Sequence, residues 1–233
     1  MEHAQSFIDS LSPTAQARVR ASSSVVKLEM DEVLVEPGDP PSSLLVIRNG
    51  FVRLQVGETV LAVLGPGDAV EPTAVFAGEP HGVLATALSD DVEVIRIDAR
   101  ALRHGEEEVT EAAWTSILAR EAKYLEEKVG VVTNGRAERR LARLVTELVA
   151  RFGQKVKGGW FLPLRLSRRD AAGLTGLTTE TTSRVMSSWH KRHLVVTAPD
   201  GAYVDRKSRL EACALSCECV PERRRHPDCL ACR

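Results

Sequence analysis

The feature that most narrows the fold is a change of hydrophobic period at Asp98. Before it, six short runs rich in Val, Ile and Leu follow one another: SVVKLEM (24–30), DEVLVEPGD (31–39), SSLLVIRNG (42–50), FVRLQVG (51–57), ETVLAVLGPGD (58–68) and DVEVIRID (91–98). Pro37-Gly38-Asp39, Asn49-Gly50, Gly57 and Gly65-Pro66-Gly67 punctuate them. Short strands at this spacing predict an antiparallel barrel or jelly roll, and no βαβ alternation is visible. From about Ala99 to Val132 the chain carries no proline and favours helix. Leu118, Ala122, Leu125, Val129 and Val132 alternate four and three apart, a heptad seam. The seam is short, because one step further back it meets Thr115 rather than Trp114. Spacing alone leaves two readings: a dimerisation helix, or a helix packed on its own barrel. Asn134-Gly135 marks the break that follows.

Charge divides the chain near the same point. Residues 1–135 carry 11 Lys and Arg against 22 Asp and Glu, and residues 136–233 carry 20 against 10. An acidic front and a basic back predict two domains with different partners, the basic one facing a polyanion such as nucleic acid. The N-terminal stretch MEHAQSFIDSLSPTAQARVR lacks the apolar core of a secretory signal, and no apolar run approaches the length of a membrane span. A cytoplasmic protein with no membrane partner is expected. No Ser–His–Asp set or P-loop is evident, and His3, His81, His104, His190 and His193 fall in no metal pattern, so an enzyme is not expected.

The basic half opens with AERRLARLVTELVARFG (137–153), an amphipathic helix burying Leu141, Leu144, Val145, Leu148 and Val149, with Gly153 suited to a C′ stop. Gly158-Gly159 then leads through a turn to an apolar WFLPLRL run. In LSRRDAAGLTGLTTETTSRVMSSWHKRHLV (166–195), Ser167 can cap a helix, with Asp170 three residues on. Ala171 and Leu174 give that helix an inner face. Gly176 supplies a tight turn, Leu177 fills the space between helices, and Thr178 caps the next helix. Val185, Met186 and Trp189 give the second helix its buried side. Helix, short Gly-containing turn, helix is the helix-turn-helix pattern.

Glu180, Ser183 and Arg184 stand at i, i+3 and i+4 on one face of the second helix, near its N-terminal end. Arg184 can donate to O6 and N7 of guanine, and Glu180 can accept from the amine of cytosine. Ser183 can reach a base or a phosphate. Thr178 and Thr179 lie at the same end, and Arg168 and Arg169 at the start of the first helix suit phosphates. VVTAPDGAYV, turning at Pro199-Asp200-Gly201, predicts a hairpin wing. The plain alternative is a two-helix packing motif with a solvated charged face.

These segments resemble the Crp/Fnr superfamily of bacterial transcription regulators over nearly the whole length. PGD…LLVIRNGFVRL…LAVLGPGD is similar to the family's effector β-roll, RAERRLARLVTELVARFG to the helix after its dimer helix, and LSRRDAAGLTGLTTETTSRVMSSW to its helix-turn-helix. Glu180-x-x-Ser183-Arg184 looks like the Fnr branch, since the Crp branch usually has Arg where Thr179 stands. The resemblance implies an α+β fold: a cyclic-nucleotide-binding-like jelly roll over 1–108, a long dimerisation helix over 109–134, and a winged helix-turn-helix over 135–208. It also implies a homodimer on double-stranded DNA, with TTGAT-like half-sites in a palindrome, and RNA polymerase as a further partner. Family members that bind cyclic AMP carry Gly-Glu-Leu for the ribose and Arg-Ser for the phosphate. In GDAVEPTAVFAGEPHGVLA, Pro72 stands at the place of that Glu and His81-Gly82 at the place of Arg-Ser. The phosphate thus loses its guanidinium partner, and cyclic AMP is not an expected ligand. His81 and Glu71 read as solvent-exposed loop residues.

All five cysteines, Cys213, Cys217, Cys219, Cys229 and Cys232, lie in a tail over 209–233, spaced C-x3-C-x-C-x9-C-x2-C. Clustered thiols in a reducing compartment bind metal more often than they form disulfides. Five donors exceed the four that zinc or a cubane cluster needs. The resemblance to Fnr-type members implies a [4Fe–4S] cluster that senses oxygen, nitric oxide or redox state, although most members carry their ligands at the N-terminus. The alternative is a structural zinc, with a small-molecule signal in the β-roll. Arg223, Arg224 and Arg225 lie between the cysteine groups, where they can offset a cluster's negative charge.

Overall fold

The computed structural model describes residues 11–103, 111–133, 135–205 and 210. It divides into two compact units, Met1–Glu126 and Glu127–Arg233. The first unit opens with helix α1 (Pro13–Ala21), where Ser12 accepts from Ala15 N–H and Pro13 supplies the fixed φ of a first turn.

Eight strands follow: β1 (Ser23–Leu28), β2 (Val33–Val35), β3 (Ser43–Asn49), β4 (Val52–Val56), β5 (Thr59–Leu64), β6 (Ala69–Val70), β7 (Leu84–Ala87) and β8 (Val92–Asp98). A short helix, α2 (Pro72–Ala77), sits between β6 and β7. The strands form two antiparallel four-stranded sheets, β1-β8-β3-β6 and β2-β7-β4-β5. The expected roll is therefore present, with β7 as a strand that the turn signals do not mark. Gly50, at φ +77 between β3 and β4, is obligatory, because a Cβ there would meet Ser89 Oγ at 2.8 Å and Val92 Cγ2 at 2.9 Å.

The two sheets close on a core that includes Leu45, Ile47, Val52, Leu54, Ala85, Ala87, Val92 and Val94. The alternate residues of β3, Leu44 and Val46, face a second cluster with Ile97, with Ala15 and Val19 of α1, and with Leu102 and Ile117. Covering on both faces accounts for the unbroken apolar run LLVI in β3. Leu102 belongs to α3 (Ala99–Arg103) and Ile117 to α4 (Glu111–Thr133). Arg120 fixes α4 to the roll by donating to the Gly67 carbonyl at 2.8 Å. Of the heptad seam, Leu125 and Val129 are exposed at 48% and 58%, whereas Ile117 and Val131 are buried. Leu118 and Val132 of the same seam are half-buried, and Ala122 is exposed.

The second unit holds α5 (Ala137–Phe152), whose buried residues are Leu141, Ala142, Leu144, Val145, Leu148 and Val149. Gly153 does not adopt the left-handed angle of a C′ glycine: its φ is −69°. It is required for clearance instead, since a Cβ would lie 2.4 Å from the Val149 carbonyl oxygen. Strands β9 (Gln154–Val156) and β10 (Gly159–Leu162), helices α6 (Arg168–Thr175) and α7 (Thr179–Lys191), and strands β11 (Val195–Ala198) and β12 (Gly201–Asp205) complete it. The sheet runs β11-β12-β10-β9, antiparallel throughout.

Candidate nucleic-acid interface

Helix α6 begins as the sequence predicts. Ser167 is extended, and its Oγ accepts from Asp170 N–H at 3.0 Å. Asp170 answers through its carboxylate, which accepts from the Ser167 hydroxyl at 2.5 Å. The helix ends on Gly176, left-handed at φ +62, while Leu177 N–H donates to the Ala172 carbonyl at 3.0 Å. This is the 6→1 closure of a Schellman turn, which only glycine adopts without strain. Leu177 is half-buried in the turn, and Thr178 then caps α7 by accepting from Thr181 N–H at 3.2 Å.

On α7 the inner face is Thr182, Met186 and Trp189, with Val185 half-buried. The opposite face carries the predicted readers. Glu180 and Arg184 are exposed, Ser183 is half-buried, and Thr179 is exposed at the first turn. Neither Glu180 nor Arg184 has a hydrogen bond or ion pair among the described residues. Their acceptor and donor groups are thus unspent, as base reading requires. Thr178 faces the same end, but its hydroxyl serves the cap and also donates to Thr181 Oγ1 at 2.9 Å. Arg169 is exposed at the start of α6, and Arg168 is half-buried, its pKa lowered by burial.

The wing is the β11–β12 hairpin, in which Ala198 pairs with Gly201 across Pro199 and Asp200. Gly201 serves strand approach rather than the turn: a Cβ there would lie 2.2 Å from the Leu162 carbonyl oxygen and 2.9 Å from Phe161 Cζ. Phe161 and Tyr203, paired across β10 and β12, stack with ring centroids 5.0 Å apart.

Three residues, Glu138, Lys128 and Arg140, make contacts in this unit that have no local sequence signature. Glu138 of α5 accepts from the buried Trp189 indole at 2.9 Å and from Arg192 at 3.1 Å. Lys128 donates to the Leu174 carbonyl at 2.5 Å, and Arg140 reaches the Thr175 carbonyl at 3.4 Å. Both cations thus satisfy the open C-terminal end of α6. Burial pushes Lys128 down to about 8, against the pull of Glu147, whose own carboxyl burial raises.

In the first unit, one sequence expectation fails. His81 is not exposed: only 4% of its surface remains, and its Nδ1 lies 3.0 Å from Glu71 Oε2. The five cysteines lie outside the described residues. Among the described residues no group of three or more His, Cys, Asp or Glu is placed to hold a metal ion, and no helix is long and apolar enough to cross a membrane.

Comparison with known proteins agrees with this architecture. Residues 25–105 match the cyclic nucleotide-binding domain family, and residues 139–213 match the Crp-like helix-turn-helix domain family. The chain is 26% identical over 175 residues to Electron transport regulator A of Shewanella oneidensis, covering 72% of this chain and 69% of that protein. It is 23% identical over 188 residues to a CRP-like cAMP-activated global transcriptional regulator of Mycobacterium tuberculosis, covering 77% and 83%. Among solved structures, FixK2 from Bradyrhizobium japonicum superposes with a TM-score of 0.70 at 22% identity, covering 84% of this chain and 98% of that one. The chain thus pairs a cyclic nucleotide-binding domain with a Crp-like helix-turn-helix domain, the organisation of Crp/Fnr-type DNA-binding transcription regulators.

Proposed function

We propose that this regulator acts as a homodimer on a palindrome with TTGAT-like half-sites, and that its signal is redox state, oxygen or nitric oxide, received by a [4Fe–4S] cluster on the cysteine tail. The observation that carries the DNA part is the pairing of Glu180 and Arg184, exposed on one face of α7 and without partners among the described residues. Arg184 donates to guanine, Glu180 accepts from cytosine, and Ser183 and Thr179 flank them, while Arg168 and Arg169 take phosphates. The exposed Leu125 and Val129 of the seam support self-association along α4. RNA polymerase is the partner through which such a protein would alter transcription. The expected compartment is the cytoplasm.

The donor set suits the cluster: Cys213, Cys217, Cys219, Cys229 and Cys232 supply one thiolate more than a cubane requires. Bound there, the cluster supplies thiolate–iron bonds that oxidants break. The chain supplies the coupling. Asp205 ends the wing strand, and Leu210, three residues before Cys213, is buried to 1% exposure, so the tail leaves from a fixed point of the DNA-binding unit. Ordering or releasing the tail therefore acts on that unit directly.

Anaerobic purification, a visible spectrum and metal analysis test this reading. Brown protein with about four irons per chain is the expected result. Colourless protein with one zinc would replace the sensor with a structural tail, and would move the signal to a small molecule in the β-roll.

A further inference from the structure

The β-roll of this chain departs from its family at three positions, and the structure shows that the three departures fit one another. Pro72 stands where a ribose-binding carboxylate is expected, and it opens α2 as the first helical residue. The carboxylate has moved back one position, to Glu71, which adopts the left-handed angles φ 37 and ψ 59. A non-glycine residue in that region is strained and persists only where its surroundings over-determine it. Here they do. The Glu71 carboxylate turns onto His81 and Gly82, the two residues at the place of the phosphate-binding Arg-Ser pair. Glu71 Oε2 lies 3.0 Å from His81 Nδ1, and the Gly82 N–H reaches Oε1 and Oε2 at 3.2 and 3.1 Å. A carboxylate can only accept, so the imidazole carries its proton on Nδ1.

Gly82 suits this fit: a Cβ at that position would lie 3.3 Å from Glu71 Oε1, a tight contact that the carboxylate tip would have to yield to. His81 cannot swing aside, because its N–H donates to the Asp39 carbonyl at 2.9 Å and its carbonyl accepts from Gly38 N–H at 2.7 Å. The first turn of α2 leads to the long helix: Thr73, two residues on, hydrogen-bonds the Glu121 carboxylate of α4.

The geometry points to an internal ligand: the Glu71 carboxylate occupies the anion seat of the effector domain and does in cis what a bound phosphate would do. The seat is closed to cyclic nucleotides by charge as well as by the lost arginine. It ties the start of α2 to His81 and Gly82 without any effector. This deepens the DNA-regulator reading above only in its DNA arm, and it does not depend on the tail.

Chemical rescue tests it in the full-length protein. Glu71→Gly removes the carboxylate and suits the left-handed backbone, so the variant is expected to fold, to melt below the parent, and to bind a TTGAT palindrome about fivefold or more weakly, the low end of allosteric couplings. Propionate, which is the severed side chain, should restore both properties saturably, whereas chloride at equal ionic strength should not. Adding His81→Ala to Glu71→Gly should abolish the rescue. The parent should respond to neither propionate, cyclic AMP nor cyclic GMP. A Glu71→Gly variant that melts like the parent, a rescue that fails, or a parent stabilised by either nucleotide overturns the inference. Propionate-dependent melting without palindrome binding in any form would retain the internal ligand and indict the half-site assignment.

Discussion

Replacing Glu138 by alanine tests what sets the attitude of the recognition helix. Its Oε1 accepts two hydrogen bonds, from Trp189 Nε1 at 2.9 Å and from Arg192 at 3.1 Å. Trp189 is fully buried, at 0% exposure, so its indole N–H meets no water in the folded protein. Leaving such a donor without a partner costs roughly 1–3 kcal/mol, and water entering beside the half-buried Glu138 keeps the cost in the lower part of that range. The Arg192 pair is more than a third exposed on both sides, at 38% and 34%, and contributes only about 0–1 kcal/mol. The expected loss for Glu138→Ala is therefore about 2 kcal/mol, most of it from the indole. In a chain of this length that corresponds to a drop in Tm of roughly 4–8 °C. Glu138→Gln keeps a carbonyl acceptor for the indole and surrenders only the charge, so it should lose less than about 1 kcal/mol. Thermal unfolding followed by circular dichroism, on parent and both variants at one protein concentration, reads the difference. If alanine and glutamine variants melt together, the buried hydrogen bond does not hold α7, and the reasoning fails.

Arg184→Ala should cost about 1–3 kcal/mol on a guanine-containing half-site and little on random DNA, read by fluorescence anisotropy. Equal discrimination by variant and parent would remove Arg184 from base reading. Leu125→Asp, on the exposed seam of α4, should weaken self-association at least tenfold, about 1.4 kcal/mol, in sedimentation equilibrium; an unaltered dimer would place the interface elsewhere. Lys128 gives a pH signature. Burial lowers its pKa from 10.5 to about 8, so between those values the unfolded chain binds the extra proton and stability rises with pH. The rise is at most ~3 kcal/mol, it is lost again as pH falls through 8, and Lys128→Met should flatten it in urea titrations at pH 8 and 10.

What the sequence made legible were features with a local cause. The roll announced itself through Val/Ile runs and turn glycines such as Gly50, and the helix-turn-helix through Ser167, Gly176 and Thr178, whose capping roles are spelled in single residues. β7 stayed hidden because LATA looks like no strand. Ala85 and Ala87 lie between two sheets, at 0% and 1% exposure, where small side chains suit the close approach. α1 is spelled locally too, by the Ser12 cap and the Pro13 first turn. The sequence suits Gly153 to a C′ stop and Gly201 to a hairpin turn, whereas their need is for clearance from backbone that only the folded chain brings near. The Glu138–Trp189 bond joins residues 51 apart, and the Glu71–His81 pair needs a strained backbone angle. Neither has a periodic or spacing signal. Exposure could not be read for His81 either, because burial of a loop residue is decided by what folds over it.

Among the described residues, the side-chain contacts named above for α6 and α7 arise within the second unit. Lys128 and Arg140 close the C-terminal end of α6 from the last turns of α4 and from α5, while Glu138 holds α7 by its buried indole. Leu210, three residues before Cys213, is buried and belongs to that same unit. A signal received on the tail consequently has no need to pass through the β-roll to reach Arg184. On the inference drawn above, the roll carries its own carboxylate in the effector seat and needs no ligand there. On this division of labour, two perturbations should be independent. Opening the Glu71 seat should alter DNA affinity by the same factor whether or not the tail cysteines are replaced by serine, and additive free energies in that double variant are the expected outcome. A coupling above about 0.5 kcal/mol between the two changes would mean that roll and tail act on one shared equilibrium, and the separation argued here would not stand.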